Sequence, residues 1–184
     1  MVDNIKQTNP TLIDDLIPGT ISLGYLEKVL CLLLREGVPI RDMETILETL
    51  GDHAGALKDI DIVTEYVRQA LKRTITRRFA EANSLRVITV DPKVEDTIVA
   101  SVKKSEAGSY LAMDPDLIQK IVNITSGEID KVKDVIPNII ILTSPIVRIY
   151  FKKLIDQFIP NITVLSYSEI DNTAQIQAIG NIAM

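Results

Sequence analysis

The sequence predicts an α+β protein, in which an N-terminal helical unit is followed by a small α/β domain with a mixed sheet flanked by helices. Apolar residues recur at three-to-four spacing as far as Phe79, which indicates helices packed on a core. From Leu85 onwards, short β-branched runs alternate with helical patterns. Three of these runs end in Asp-Pro or Ser-Pro, pairs that suit a helix beginning directly after a strand.

The first two helices of the chain are expected before residue 38. Asn9-Pro10 begins a short helix, Thr11–Leu16, which Pro18-Gly19 ends. Ser22 then caps a core helix whose apolar residues continue until Gly37, a residue suited to the left-handed conformation that ends many helices.

Two further helices complete the predicted helical unit. Pro39 is expected to open the first of them, because its fixed φ and missing N–H suit a first turn, and Gly51 to close it. Asp59 or Asp61 is expected to cap one long third helix that runs to Phe79.

The second half of the chain predicts a sheet with helices packed on it. Strands are expected at the apolar or β-branched runs Leu85–Val90, Tyr110–Met113, Ile139–Thr143, Ile162–Tyr167 and Gln175–Ile182. Helices follow the joints Asp91-Pro92, Asp114-Pro115 and Ser144-Pro145, where the Asp or Ser side chain can accept from first-turn amides. The polar connection Glu169–Asn172 predicts a hairpin between the last two strands.

Composition argues against a disordered chain, a nucleic-acid-binding protein and a membrane-spanning segment. The 184 residues include 46% hydrophobic and 24% charged residues, which is typical of a folded globular chain. The formal net charge of -5 gives no general attraction to nucleic acid, and 4% aromatic residues offer little platform for base stacking. The chain has a single Cys and a single His, and no apolar stretch long enough to cross a membrane.

Two residues are the candidates for catalysis, and for both the structural interpretation is preferred. Cys31 lies in the apolar run Val29–Leu34, so we expect it to be a buried, unreactive thiol. His53 follows Gly51-Asp52 with no second His or Cys at metal-ligand spacing, so we expect a surface or capping histidine. The sequence therefore predicts neither an enzyme nor a metal or cofactor site.

A basic cluster supports an alternative from another class. Five cations fall along the predicted third helix, where a helix-turn-helix regulator would carry its DNA recognition helix: Arg68, Lys72, Arg73, Arg77 and Arg78. The structural alternative is a solvated helix flank, because Asp61 and Glu65 offer local partners. The acidic net charge favours the second interpretation.

The segment Leu33–Leu50, LLREGVPIRDMETILETL, carries a resemblance to a known family. It resembles the FHIPEP family, the export-gate proteins of flagellar and virulence type III secretion, and its flagellar branch in particular. The likeness continues through Thr64–Leu71, Asp91-Pro92, Tyr110–Pro115 and Val164–Ile170, so it covers nearly the whole chain.

The resemblance implies a part of a longer protein. Family members begin with a multi-helix membrane region and continue into a four-part cytoplasmic domain that forms a ring at the cytoplasmic face of the bacterial inner membrane. By this likeness, residues 1–19 are the closing helix of a preceding subdomain, residues 20–82 a helical subdomain and residues 83–184 an α/β subdomain. The membrane would be reached only through the missing N-terminal region.

The function implied by the resemblance is a non-enzymatic docking and ring-assembly module of flagellar protein export. Expected partners are other copies of the same protein in a ring, export-apparatus components, export chaperones and flagellar substrates, with no nucleic acid and no cofactor. The charged residues taken as candidates for protein docking are Arg35, Arg41, Asp42, Arg68 and Lys72.

Overall fold

The computed structural model of the chain describes residues 16–105 and 108–184, and it divides into two compact units between Arg78 and Phe79. The division expected at residues 1–19, 20–82 and 83–184 stays a prediction. Apart from Leu16, the helix expected at Thr11–Leu16 lies outside the described residues. The helices that follow are α1 Leu23–Arg35, α2 Met43–His53, α3 Ile60–Ala70 and α4 Lys72–Phe79.

Helix α1 begins and ends as its sequence predicts. The Ser22 hydroxyl accepts from the Tyr25 amide at 3.1 Å. At the other end Gly37 adopts a φ of 71°, and its amide donates to the Leu34 carbonyl. The Val38 amide donates to the Leu33 carbonyl, which completes the paired bonds of a Schellman motif. The predicted positive φ at Gly37 is confirmed.

Helix α2 differs from the prediction at both ends. It begins at Met43, where the Asp42 carboxylate accepts from the Thr45 amide at 3.3 Å, and Pro39 lies in the irregular corner before it. An aspartate at the N-cap satisfies a first-turn amide, which a proline at the same place does not. The helix continues through Gly51 to His53, since an interior glycine weakens a helix by only about 1 kcal/mol.

The predicted long third helix is interrupted at Leu71. This residue is buried, and its ψ of 14° lies outside the helical range, so α3 ends and α4 begins one residue later. The break leaves Ile75 buried in a helix of its own. No glycine or proline marks the break, so the apolar periodicity alone predicted a continuous helix.

Two sheets and three further helices are seen in the described part of the second unit, which makes the chain an α+β protein as predicted. A parallel four-stranded sheet has the order β5-β4-β1-β6, and β2 pairs with β3 in a separate antiparallel pair. The strands are β1 Ser84–Val90, β2 Val102–Ser105, β3 Gly108–Leu111, β4 Ile140–Thr143, β5 Thr163–Ser166 and β6 Gln175–Ile182. The helices are α5 Pro92–Ala100, α6 Pro115–Val132 and α7 Pro145–Ile155.

The predicted hairpin between the last two strands is wrong. Strand β6 pairs parallel with β1, from Ser84 opposite Gln175 to Val90 opposite Ile182, and lies at the opposite edge from β5. The connection begins with a 3₁₀ turn, Tyr167–Glu169, and carries the chain from one edge of the sheet to the other. Polar turn residues alone do not distinguish this crossing from a hairpin.

The core of this unit lies between one face of the sheet and its three helices. Alternate strand residues such as Ile88, Val90 and Ile141 pack in one cluster with residues of α5, α6 and α7. Leu85 and Val87, which point to the other side of β1, are buried as well. A strand buried on both faces explains the near-continuous apolar run.

The strand-to-helix joints behave as predicted in two cases of three. Asp91 accepts from the Lys93 amide and Asp114 from the Asp116 amide, both at 2.9 Å. The Ser144 side chain makes no capping bond. Its backbone amide instead donates to the Glu95 carboxylate of α5 at 2.6 Å. A neighbouring helix therefore supplies the acceptor for this amide.

A buried charged pair fixes the start of the connection after β5. Arg148 of α7 and Glu169 are almost fully buried, with Nε and Oε1 3.7 Å apart. Glu169 also accepts from the Ser166 amide at 2.8 Å, and Arg148 donates to the Val164 carbonyl at 3.2 Å. These bonds satisfy charges that burial would otherwise penalise.

A search of the described helices for a segment with the length and hydropathy of a membrane span finds none.

Candidate functional site

A groove lies on the outer face of α1 in the helical unit. Its volume is about 490 Å³. Its lining consists of six residues of α1 and two of the first turn of α3: Gly24, Glu27, Lys28, Cys31, Leu32, Arg35, Ile60 and Asp61.

The spacing of the α1 residues explains how one helix supplies most of the wall. From Gly24 to Arg35 the lining residues are separated by steps of three and one, so they form a single stripe along the helix. The buried residues of α1, which include Val29 and Leu33, lie on the opposite side. Gly24 and Cys31 are small, and they leave room in the stripe where longer side chains would fill it.

The groove combines an apolar lining with balanced charges. Leu32 and Ile60 are half-buried apolar residues of the wall. Glu27 and Asp61 contribute negative charge, and Lys28 and Arg35 positive charge. A surface with both signs beside an apolar strip suits a protein segment better than a strongly charged polymer.

Tyr25 of α1 is affected electrostatically by Asp59, which caps the start of α3. Burial of the phenol raises the pKa of Tyr25 above its ordinary value of 10.0, and the Asp59 carboxylate at the start of α3 raises it further. Asp59 also accepts from the Asp61 amide at 3.0 Å, which fixes the first turn of α3 beside the groove.

The expectation that Cys31 is buried is wrong. The thiol is exposed and lines the groove. Val29 and Leu33 are each two positions away from Cys31, which turns the thiol roughly 160° away from them on an α-helix. The run Val29–Leu34 therefore spans both faces of α1, and Leu34 is exposed too.

His53 makes a contact that the sequence does not indicate. It lies in the last turn of α2 and stacks on Tyr66 of α3, with ring centroids 4.2 Å apart and an angle of 13° between the planes. The residue is half-buried. Tyr66, which the helical pattern places on the core side, is 38% exposed.

The expectation that Arg68 lies on an exposed basic flank is wrong. Its side chain is 1% exposed, and its Nη1 lies 3.2 Å from Glu36 Oε2. Glu36 is the C-cap residue of α1, so this ion pair connects α3 to the corner at Gly37. Arg68 stabilises the helical unit from inside and cannot meet a partner directly.

The other docking candidates do not converge on one place. Arg35 lines the groove, whereas Asp42 caps α2 through the Thr45 amide. Arg41 is exposed in the corner before α2, and Lys72 is half-buried at the start of α4. Of the five candidates, Arg35 alone lines the groove as the structure describes it.

Sequence analysis missed the residues that complete the groove. Glu27, Lys28 and Ile60 carry no motif, and the signal that could have found them is the regular stripe from Gly24 to Arg35 opposite the core face. Within residues 16–105 and 108–184, no group of three or more His, Cys, Asp or Glu residues is arranged to hold a metal ion.

Comparison with known proteins gives concordant results. The model of the FHIPEP family matches residues 1–175. Among curated relatives, the flagellar biosynthesis protein FlhA of Bacillus subtilis is 39% identical over 181 residues, which is 98% of this chain and 27% of that protein. The chain thus spans about a quarter of that relative's length.

Solved structures show the same fold. The Chlamydia pneumoniae CdsV and CdsO complex includes a chain with a TM-score of 0.87 and 33% identity, covering 100% of this chain and 54% of that one. The nonameric EPEC SctV-C structure gives 0.85 and 29%, covering 98% and 54%. These matches confirm the resemblance carried by Leu33–Leu50 and the later segments. The chain belongs to the FHIPEP family.

Proposed function

We propose that this chain is a non-enzymatic docking and ring-assembly module of a flagellar type III protein export gate. The observation that carries the proposal is the groove between α1 and α3, which combines apolar walls with charges of both signs. Binding of a protein segment in such a groove needs no catalytic group. Family membership and the flagellar relative support the export context.

The proposed partners follow from the same two sources. Relatives occur as nonamers and in a complex with CdsO, which supports self-assembly and the binding of another export component. Export chaperones and flagellar substrates are further proposed partners. The proposed location is the cytoplasmic side of the bacterial inner membrane, where the longer protein would hold this module.

A segment exchange tests the function. The matching segment of the Bacillus subtilis relative would be replaced by this chain, and secreted flagellar subunits would be measured in the culture medium. We expect the chimera to export. A second chimera carrying Cys31→Trp and Arg35→Glu is expected to export poorly, because the tryptophan fills the groove and the glutamate reverses its charge at one end.

A matched variant separates the groove from a general effect of charge. Lys120→Glu makes the same change of charge as Arg35→Glu on an exposed position of α6, and we expect normal export. Immunoblots of membranes establish that all chimeras accumulate equally. Equal export by the groove and Lys120 variants would contradict the assignment of the groove, and a stably accumulated but inactive first chimera would contradict the function.

The structure does not favour the DNA-binding alternative. A recognition helix needs its basic residues exposed along one continuous helix. Here the basic residues are divided between α3 and α4, and Arg68 is buried in an ion pair with Glu36.

A further inference from the structure

The two edges of the parallel sheet differ in how well they are protected. Strand β5 has four residues and runs directly into a 3₁₀ turn, so it offers little backbone for pairing. Strand β6 has eight residues, Gln175–Ile182, and contains no charged residue and no proline. Edge strands usually avoid pairing with other chains through short length, charges or proline. Within residues 16–105 and 108–184 no strand pairs with the outer side of β6, and its register shift lies after Ala178, so the first half of the strand has none of these protections.

The first half of β6 is also the most accessible part of the sheet. Gln175, Ile176, Gln177 and Ala178 are all exposed, and Ile176 exposes 43% of its surface. Further along, Ile179 packs against the core of the unit and Ile182 is buried. The accessible edge is therefore the segment Gln175–Ala178.

The hydrogen-bond register shows which backbone groups face outward. The Gln175 amide donates to the Asn83 carbonyl at 2.9 Å, so Gln175 directs its backbone groups towards β1. Alternate residues of a strand direct these groups to opposite sides, so Gln177 also faces β1. Ile176 and Ala178 direct their amides and carbonyls away from the sheet. The shift of register lies after Ala178 and leaves this part of the ladder regular.

We propose that the edge of β6 at Gln175–Ala178 is a docking site for an extended segment of a partner protein, which adds to the sheet as a fifth strand. Its backbone would bond to the outward groups of Ile176 and Ala178, as in other cases of strand addition. The edge carries no charge, and Ile176 is its one large apolar side chain. The chemistry therefore selects an uncharged segment with an apolar residue that packs beside Ile176.

The occupant is a different protein and not a second copy of this chain. Two identical edges pair about a twofold axis, which closes a dimer. The relatives with nonameric structures form assemblies of nine copies, and a twofold contact does not generate such a number. A head-to-tail contact between sheets would instead need the β5 edge of the next copy, and β5 has only four residues before its 3₁₀ turn. This step alone rests on the ring assembly proposed above. The edge itself lies in a different unit from the groove and does not depend on it.

Peptide selection tests the proposal on the whole chain. A phage-displayed library of random linear peptides would be selected against the purified protein, and amide exchange would be followed by NMR with and without a recovered peptide. We expect the amides of Ile176 and Ala178 to exchange rapidly in the unbound chain and slowly in the complex. The amide of Gln177, which faces β1, should be protected in both states.

Three variants locate the bound peptide. Ala178→Pro removes an outward amide and should weaken binding at least about tenfold while β1 pairing persists. Ile176→Lys adds a charge without changing the backbone, so it tests the same edge if the proline variant fails to fold. Gln119→Lys adds the same charge on an exposed position of α6 and should leave affinity unchanged.

The following results would overturn the proposed docking site. Recovery of no peptides, or only of peptides that leave the Ile176 and Ala178 amides unprotected, would contradict the docking site. Slow exchange of these amides in the unbound chain would show that the edge is already covered. Sedimentation as a dimer that Ile176→Lys dissociates would assign the edge to a second copy. None of these results affects export by the groove chimeras, so the two proposals fail separately.

Discussion

Replacing Gly37 tests whether backbone conformation at the α1 corner contributes to stability. Its φ of 71° is in the left-handed region, and a methyl group added there would meet no atom within 4 Å. Gly37→Ala therefore introduces no clash, and its cost is the strain of a left-handed non-glycine residue, about 1–2 kcal/mol. Gly37→Asn should cost less, since asparagine tolerates this conformation, and Gly37→Val should cost more.

Gly127 provides a matched control for this substitution. A methyl group there also meets no atom within 4 Å, but Gly127 lies inside helix α6 with no positive φ. Gly127→Ala should therefore stabilise the protein by about 1 kcal/mol. Both substitutions restrict the unfolded chain in the same way, so the difference between them isolates the backbone angle.

Thermal and denaturant unfolding followed by circular dichroism measures both effects. For a chain of this length, about 1 kcal/mol corresponds to a change in Tm of about 2–4 °C. We expect Gly37→Ala to lower the Tm and Gly127→Ala to raise it. A Gly37→Ala protein as stable as the parent, or an asparagine variant less stable than the alanine one, would refute the reasoning.

Three further predictions concern buried and exposed side chains. Arg68→Ala should lower the free energy of unfolding, measured in urea, by about 3 kcal/mol or more, because it leaves the Glu36 carboxylate without this partner. Arg77→Ala, on an exposed position, should change it by less than about 0.5 kcal/mol. Equal effects would refute the burial of Arg68. Cys31 should react with iodoacetamide in the native protein, and a requirement for denaturant would contradict its exposure. Because burial raises the pKa of Tyr25 above 10.0, its contribution to stability is present below that pH and is lost as the pH rises through the folded value. Tyr25→Phe should thus remove part of the alkaline loss of stability, and identical pH profiles would exclude the contribution.

Local signals in the sequence predicted the boundaries that depend on local interactions. Ser22, Asp91 and Asp114 bond to amides two or three residues away, so their capping roles are encoded in the adjacent residues. Gly37 is similar, because its conformation follows from the helix that it ends. The α+β class was predictable as well, because the change from helical to strand-like spacing at Leu85 is visible in neighbouring residues.

Features that depend on distant residues were not predictable. The amide at Ser144 is satisfied by Glu95, which lies far away in sequence, and the break at Leu71 accompanies burial of that side chain. The parallel pairing of β6 with β1 is decided by the sheet as a whole. A single sequence records none of these contacts.

The candidate site was predicted only in part. Arg35 lines the groove as a docking residue should, but the charge on Arg68 is used inside the helical unit. Cationic residues look alike in sequence whether they meet solvent or a buried carboxylate. The face of α1 that carries Cys31 was assigned to the core because leucines occupy both sides of this helix.

The pairing of β1 with β6 also affects how the chain can fold while it is being made. Ser84 lies beside Gln175, so the ribosome adds about ninety residues before β1 receives its second neighbour. Pairing over such a distance is slow, and an apolar strand with an open edge is prone to aggregation in the meantime. We expect translational pauses between β5 and β6 to lower the soluble yield, and a trigger-factor-like holdase to restore it.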